Sequence, residues 1–253
     1  MALHDDTLAS GSAGPGLTPV TQVDPRLLAS TRPRGYFVTF EGIEGSGKTT
    51  QIARLAEKLQ GADETVVVTR EPGGTRVGRG LRAVLLGDEV LRLSPLSELL
   101  LYVADRAQHL HEIVEPALAA GTHVLCDRYL DATLAYQGYA RGLDLDLIRR
   151  LHEHPPLDRR PDRTVLLDLD PELGLERARR RNDELRLERA EGRFEREPLD
   201  FHRRVRDGYL ALAEAEPFRF RIIAGEGSAE SVGARVDDLL SDLFPALDSD
   251  EPA

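Results

Sequence analysis

Cysteine is nearly missing from this chain: Cys126 is the only one in 253 residues. No internal disulfide can form, and a reducing cytoplasm is the expected compartment. Long hydrophobic runs are missing too. The longest, Leu99 to Ala104, falls far short of the roughly 20 residues that a membrane span needs. No basic start leads into an apolar stretch, so no secretory signal is expected. An excess of positive charge is also lacking, because 33 basic residues face 44 acidic ones for a net charge of −11. That balance argues against a protein that coats nucleic acid, although a local basic site stays open. Neither a nucleic acid nor a membrane is therefore an expected partner. Lysine is scarcest of all the charged residues. Lys48 and Lys58 are the only two, which makes the position of each informative.

What is present reads as one globular domain. Apolar residues make up 41% and charged residues 30%, an ordinary balance that can bury a core without staples. Residues 1–33 are expected to form a disordered extension, since Ala9 to Gly16 is small and without periodicity. The domain is then expected over 34–246, with a frayed end over 247–253.

Inside the domain the pattern alternates. Short apolar strands are expected at Tyr36–Phe40, Thr65–Thr69, Thr122–Cys126, Thr164–Leu169 and Arg219–Ala224. Helices are expected at Lys48–Gln60 and Val77–Leu86. A long one should run from an N-cap at Ser94, with Pro95 in its first turn, to about Ala120. Further helices are expected at Leu145–His152, twice between the last two strands, and from about Glu230 to Leu243. Strand–helix alternation with nearly continuous apolar strands implies a parallel sheet covered on both faces.

The strongest chemical signal is Gly42-Ile-Glu-Gly-Ser-Gly-Lys48-Thr49, placed after the first strand and before the first helix. This is the phosphate-cradling P-loop pattern in the context it requires. Its glycines let backbone N–H groups converge on phosphate oxygens, and the helix N-terminus adds a favourable dipole. Lys48, expected to face solvent, supplies a point charge for the terminal phosphates of ATP, and Thr49 offers a hydroxyl to Mg²⁺. A magnesium-side carboxylate should end a neighbouring strand, and Asp127 does so.

With no lysine after Lys58, the guanine-reading N-K-x-D motif of GTPase switches cannot be built in its usual form. A small kinase needs instead an acceptor site and a mobile cationic lid. Glu176 to Arg206 carries 11 arginines against 8 acidic residues, which suits a lid over about 176–200. The plainer reading of most of these arginines is an exposed helix laced with ion pairs.

Five segments together resemble thymidylate kinases. They are Glu41 to Thr50, Thr69-Arg-Glu-Pro-Gly-Gly-Thr75, Leu101 to His109, Cys126-Asp-Arg-Tyr129 and Leu134-Ala-Tyr-Gln-Gly138. The resemblance covers about residues 35–245 and implies a five-stranded nucleoside monophosphate kinase fold. It implies ATP and Mg²⁺ as cofactors, dTMP as acceptor and a homodimer through the long helices. The ATP site would comprise Gly42, Ile43, Glu44, Gly45, Ser46, Gly47, Lys48, Thr49 and Thr50. Tyr102 falls where the family has a base-stacking phenylalanine, and Arg106 would donate to the thymine. Arg82 and Arg128 match arginines that hold the monophosphate, with Arg70 beside them. Glu71 and Glu44 match acidic positions near the sugar and phosphates, Thr133 and Gln137 polar positions at the base, and Tyr136 the tyrosine under the deoxyribose. No arginine stands in the P-loop, so the chain resembles members whose catalytic arginine lies in the lid. Arg193 aligns best, before Arg181, Arg179 and Arg186. The expected activity is transfer from ATP to dTMP, with Lys48, Asp127, Arg128, Arg193 and Glu44 as the catalytic set. The alternatives are a kinase for another nucleoside monophosphate and a P-loop regulatory switch.

Overall fold

Five strands lie parallel in the order β2-β3-β1-β4-β5: β1 Phe37–Glu41, β2 Val66–Arg70, β3 His123–Asp127, β4 Arg163–Asp168 and β5 Phe220–Ala224. The computed structural model describes residues 34–87, 93–185 and 193–247. The expected tail over 1–33, residues 248–253 and the candidate Arg186 lie outside the described residues. All five expected strands are present, each within a residue or two of its expected bounds. In β1, Val38 and Phe40 point to one face, while Phe37, Thr39 and Glu41 point to the other. All five are buried, because helices cover both faces.

The first face packs Val38, Phe40, Leu125 and Val165 against helix α1 (Lys48–Gly61) and helix α9 (Ala229–Leu240). Helix α1 contributes the i, i+3, i+4, i+7 stripe Ile52, Leu55, Ala56, Leu59. Its outer side is tied to α9 by Arg54 and Lys58, which both reach Asp237. Lys58 also donates to the Leu247 carbonyl at 3.1 Å. Leu247 itself is buried, although the frayed end is expected from 247 onward.

The second face packs Phe37, Val124, Cys126 and Leu166 under α2 (Arg76–Leu86), α3 (Pro95–His109) and α8 (Leu199–Ala215). Thr75 caps α2, accepting from Gly78 N at 2.8 Å. Ser94 caps α3, accepting from Ser97 N at 3.1 Å. The expected single helix from Pro95 to Ala120 is divided. A π-helical turn, Leu110–Val114, precedes a short α4, Glu115–Ala119. Pro116 has no N–H to continue the ladder, and the widened turn absorbs the break. A helical segment without a sequence forecast follows β3: α5 Leu130–Thr133 runs into a second π-helical stretch, Leu134–Ala140. It is buried nearly all round, so it has no apolar stripe to read. Helix α6 spans Leu145–Leu151 and α7 Pro171–Leu185. Among the described residues, no helix is long and apolar enough to cross a membrane.

A buried ion pair ties α5 to the start of β5. Asp131, 1% exposed, receives Arg219 through both terminal nitrogens at 2.7 and 2.9 Å. Asp131→Ala should leave Arg219 only Glu216 and Thr164 as partners and destabilise the fold by about 3 kcal/mol. Urea unfolding of the variant measures this, and a loss below about 1 kcal/mol would show the pair to be solvated.

Candidate functional site

Between β1 and α1 the chain turns through the P-loop. Gly45 has φ +71° there, and a Cβ on it would come within 2.1 Å of the Gly174 carbonyl. Only glycine fits. Gly47 is also left-handed and offers no side chain to cap α1, so the helix N-terminus opens onto a cavity of about 1010 Å³. Lys48 differs from the expectation of a solvent-facing charge. It is 7% exposed, and its Nζ donates to the carbonyls of Gly42 (3.0 Å) and Ile43 (2.8 Å) and to Ser46 Oγ (3.2 Å). Burial, then Arg128, brings its pKa down to about 8. Thr49 Oγ1 donates to Asp127 Oδ2 at 2.9 Å, joining the loop to the end of β3. Thr50 is exposed and lines the same cavity.

Arg128, the residue after β3, is the hub. Its φ is +68°, a left-handed conformation that a non-glycine residue adopts only when its surroundings fix it. Glu41 fixes it from below. Its Oε1 accepts the next backbone N–H, that of Tyr129, at 2.7 Å, and its Oε2 accepts Tyr209 Oη–H at 2.7 Å. The Arg128 guanidinium donates to Tyr209 Oη (3.1 Å) and Glu44 Oε1 (3.1 Å) and lies 4.8 Å over the Tyr136 ring. Tyr136 Oη–H closes the ring by donating to Glu44 Oε1 at 2.6 Å. Burial alone would raise the Glu44 pKa, but Arg128, His202 and Tyr136 hold it well below the usual carboxylate range. Glu41 has burial and nearby Asp131 against it and is pushed up to about 8. One buried carboxyl is thus held as a fixed anion, and the other is a much weaker acid than usual.

The far end of the cavity is lined by α3 and the segment after β3. Tyr102 and Arg106, one helical turn apart on α3, both face it. Arg106 is 1% exposed and is no surface ion-pair residue. It reaches Glu71 Oε2 (2.8 Å), His152 Nε2 (2.7 Å) and Thr133 Oγ1 (3.0 Å). Glu71 is also bonded by His109, so its carboxylate supports Arg106 while its edge lines the cavity. Gln137 lines the cavity too and donates to Glu98 Oε1 at 2.8 Å. Arg82 is steered by the Pro72 carbonyl at 2.7 Å. Arg70 is exposed at the rim.

The lid differs from expectation at its first-choice residue. Arg193 does not line the cavity. It donates to the Leu85 carbonyl at 2.9 Å and to Glu98 Oε2 at 2.6 Å. Glu98 is 1% exposed, and a buried carboxylate needs a cation beside it. Arg193 therefore ties its own segment to α3. The cavity receives Arg177, Arg180 and Arg181 of α7 instead. Arg177 donates to the Gly225 carbonyl (3.0 Å), and Arg181 reaches Glu195 (3.3 Å). Arg179 is exposed and is not part of the lining.

In all, eight basic side chains and four carboxylates line the cavity of a protein with net charge −11. Such a local reversal of sign concentrates anions. Among the described residues no group of three or more His, Cys, Asp or Glu could hold a metal unaided. The Thr49 hydroxyl and Asp127 carboxylate nevertheless form an adjacent pair of hard oxygen donors. That set fits a magnesium ion whose other ligands are water and substrate phosphates. Several site residues carry no motif signal: Tyr209, Arg177, Arg180 and the Gly225–Gly227 segment. Glu41 opens the first of the family-like segments, but its structural role at Arg128 is not legible there.

The thymidylate kinase family model matches residues 40–236. The chain is 54% identical over 208 residues to the thymidylate kinase of Solidesulfovibrio magneticus, covering 82% of this chain and all of that one. It is 52% identical over 211 residues to that of Geobacter sulfurreducens, covering 83% and 99%. The crystal structure of thymidylate kinase from Ehrlichia chaffeensis superposes with a TM-score of 0.66 at 36% identity, covering 83% of this chain and all of that one. The P-loop, the Arg128 hub and the α3 pocket thus sit in a fold and a sequence shared along almost the whole described chain, which belongs to the thymidylate kinase family.

Proposed function

We propose that the protein transfers the terminal phosphoryl group of ATP to dTMP, giving ADP and dTDP. The observation that carries this reading is a single cavity with a P-loop at one end and a base-sized pocket with a buried arginine at the other. Arg128 lies between them, where two phosphate chains would meet.

The donor's phosphates lie along the loop amides. Lys48 leaves its loop carbonyls for phosphate oxygens when ATP enters. Its protons are already aligned on three acceptors, so binding exchanges partners rather than ordering a free chain. Thr49 and Asp127 would hold Mg²⁺, which neutralises charge on the donor's outer phosphates. Arg128, Arg82 and Arg70 receive the acceptor's monophosphate, a dianion suited to planar guanidinium donors. Tyr136, held upright by Glu44 and packed edge-on against Phe194, forms the wall beneath the sugar. Tyr102 offers an aromatic face to the base, and Arg106 and Thr133 offer polar contacts. The acceptor oxygen is already anionic, so no strong base is required. Arg177, Arg180 and Arg181 supply the positive charge for the transferring group and shut out water when the lid closes. The rival reading, a regulatory switch, would leave the pocket at α3 without a use.

Exposed apolar side chains support self-association. Val77 and Val84 on α2 and Leu96 and Leu100 on α3 lie at one-face spacings and are 38–51% exposed. A second copy of the chain suits such a paired-helix face, and the enzyme would act as a homodimer.

Initial rates of ADP release with dTMP, dUMP, dGMP and AMP side by side test the substrate. dTMP should be turned over fastest, and equal rates with AMP would refute the assignment. Lys48→Ala should lower kcat by on the order of 10³-fold while the circular dichroism spectrum is kept. Arg181→Ala should lower kcat by about 10²-fold or more with little change in the KM for ATP. By contrast, Arg193→Ala should lower thermal stability more than it lowers kcat, because it uncovers Glu98; the reverse order would restore Arg193 as the lid cation. Val84→Glu combined with Leu100→Glu should convert a dimer into a monomer by light scattering.

A further inference from the structure

Behind the acceptor end lies a chain of buried polar groups whose donor directions are fixed by chemistry. Arg106 spends its Nε–H on Glu71, one Nη1–H on His152 and one Nη2–H on Thr133. A guanidinium has five N–H donors, so two remain, one on each terminal nitrogen. Glu71 receives His109 Nδ1 at 2.8 Å on its second oxygen, and His109 Nε2 lies 2.7 Å from Thr69 Oγ1. On the other side, His152 Nδ1 lies 2.7 Å from the carbonyl of Ile148, one turn back at the end of α6.

Only one protonation state of His152 satisfies both contacts. A carbonyl oxygen accepts and never donates, so Nδ1 carries the proton. A guanidinium donates and never accepts, so Nε2 is bare. His152 is fully buried and does not line the cavity. It can influence a ligand only through Arg106. Burial, then the Arg106 charge, brings its pKa down to about 4. Arg160 pushes the same way, while the Ile148 carbonyl and Glu71 oppose. The ring therefore stays neutral at pH values well above 4. Cys126 and the Arg54–Lys58–Asp237 cluster, also buried or paired, do not line this cavity.

We propose that His152 is a positioning residue for base selection: its bare Nε2 holds the Arg106 guanidinium in the one orientation that presents its two remaining N–H groups to a carbonyl oxygen of the acceptor's base. The proposal rests on the reading that Arg106 meets that base. A base with an amino group in place of the carbonyl sets donor against donor and leaves buried groups unpaired, which a fixed site rejects strongly. Without its Nε2 partner Arg106 keeps Glu71 and Thr133, but its Nη1 end can tilt and relax that penalty.

The test compares the full-length wild type with His152→Phe and His152→Gln, measuring kcat, the KM for dTMP and for ATP, and the preference for dTMP over dCMP. Glutamine can place a carbonyl oxygen near the Nε2 position, whereas phenylalanine keeps the ring volume without an acceptor. Loss of one hydrogen bond to a charged group should raise the KM for dTMP about tenfold in His152→Phe, with a similar narrowing of the preference over dCMP. The KM for ATP should stay within about twofold, and His152→Gln should recover most of the loss. A parallel rise in both KM values, or a glutamine variant as impaired as the phenylalanine one, would overturn the proposal. If His152→Phe does not fold, imidazole ¹⁵N spectra of the wild type decide. They should show protonated Nδ1 and bare Nε2 from about pH 8 to about pH 5.5, and a cation or the opposite tautomer would overturn the assignment. A wild type that prefers dCMP to dTMP would instead refute the base reading itself, whatever the tautomer.

Discussion

The left-handed backbone of Arg128 is the constraint on which the site depends. A non-glycine residue held at φ +68° costs roughly 1–3 kcal/mol, and the surrounding bonds offset that cost. Glu41 binds the following N–H from the end of β1, while Tyr209 and Glu44 take the guanidinium from α8 and the P-loop. Strand β1 can deliver Glu41 there because period-two alternation puts it on the same face as Phe37, toward α8. The same carboxylate thereby aligns the strand that ends in the P-loop and the strand that ends in Arg128. The two ends of the cavity, the proposed donor and acceptor subsites, are thereby tied to each other by one side chain.

Electrostatics then separates roles. The protein as a whole is acidic, yet its cavity is lined by twice as many cations as carboxylates. Each carboxylate in or near it has a local partner. Glu44 holds Arg128 and Tyr136, Glu71 holds Arg106 and His109, and Glu98 holds Arg193 and Gln137. In a low-dielectric setting such pairs orient the arginines more than they stabilise the fold. Orientation is what phosphoryl transfer asks for, since little covalent work falls to the protein.

Much of this was legible in the sequence, and the limits have physical causes. Local signals worked. The P-loop, the strand-end Asp127 and the cap at Ser94 depend on neighbours within a few residues. The doubly covered sheet followed from apolar strands. Leu130–Ala140 escaped as a helix because burial on every side erases the periodic stripe. Lys48 is expected in solvent from its motif, but the loop turns its own Gly42 and Ile43 carbonyls onto the ammonium. Arg193 was favoured over Arg181 by motif alignment, and only the buried Glu98, 95 residues away in sequence, reveals its anchoring contact. His152 belongs to the same class: 46 residues separate it from Arg106, and no local pattern links them.

The central claim is that one cavity holds donor and acceptor together, with their phosphates meeting at Arg128. The most direct measurement is calorimetric titration of a single compound in which thymidine and adenosine are joined through a chain of phosphates. It should bind one per chain, far more tightly than ATP or dTMP alone, because linking two subsites makes the second contact intramolecular. Binding no tighter than that of ATP alone, or two compounds per chain, would contradict the account.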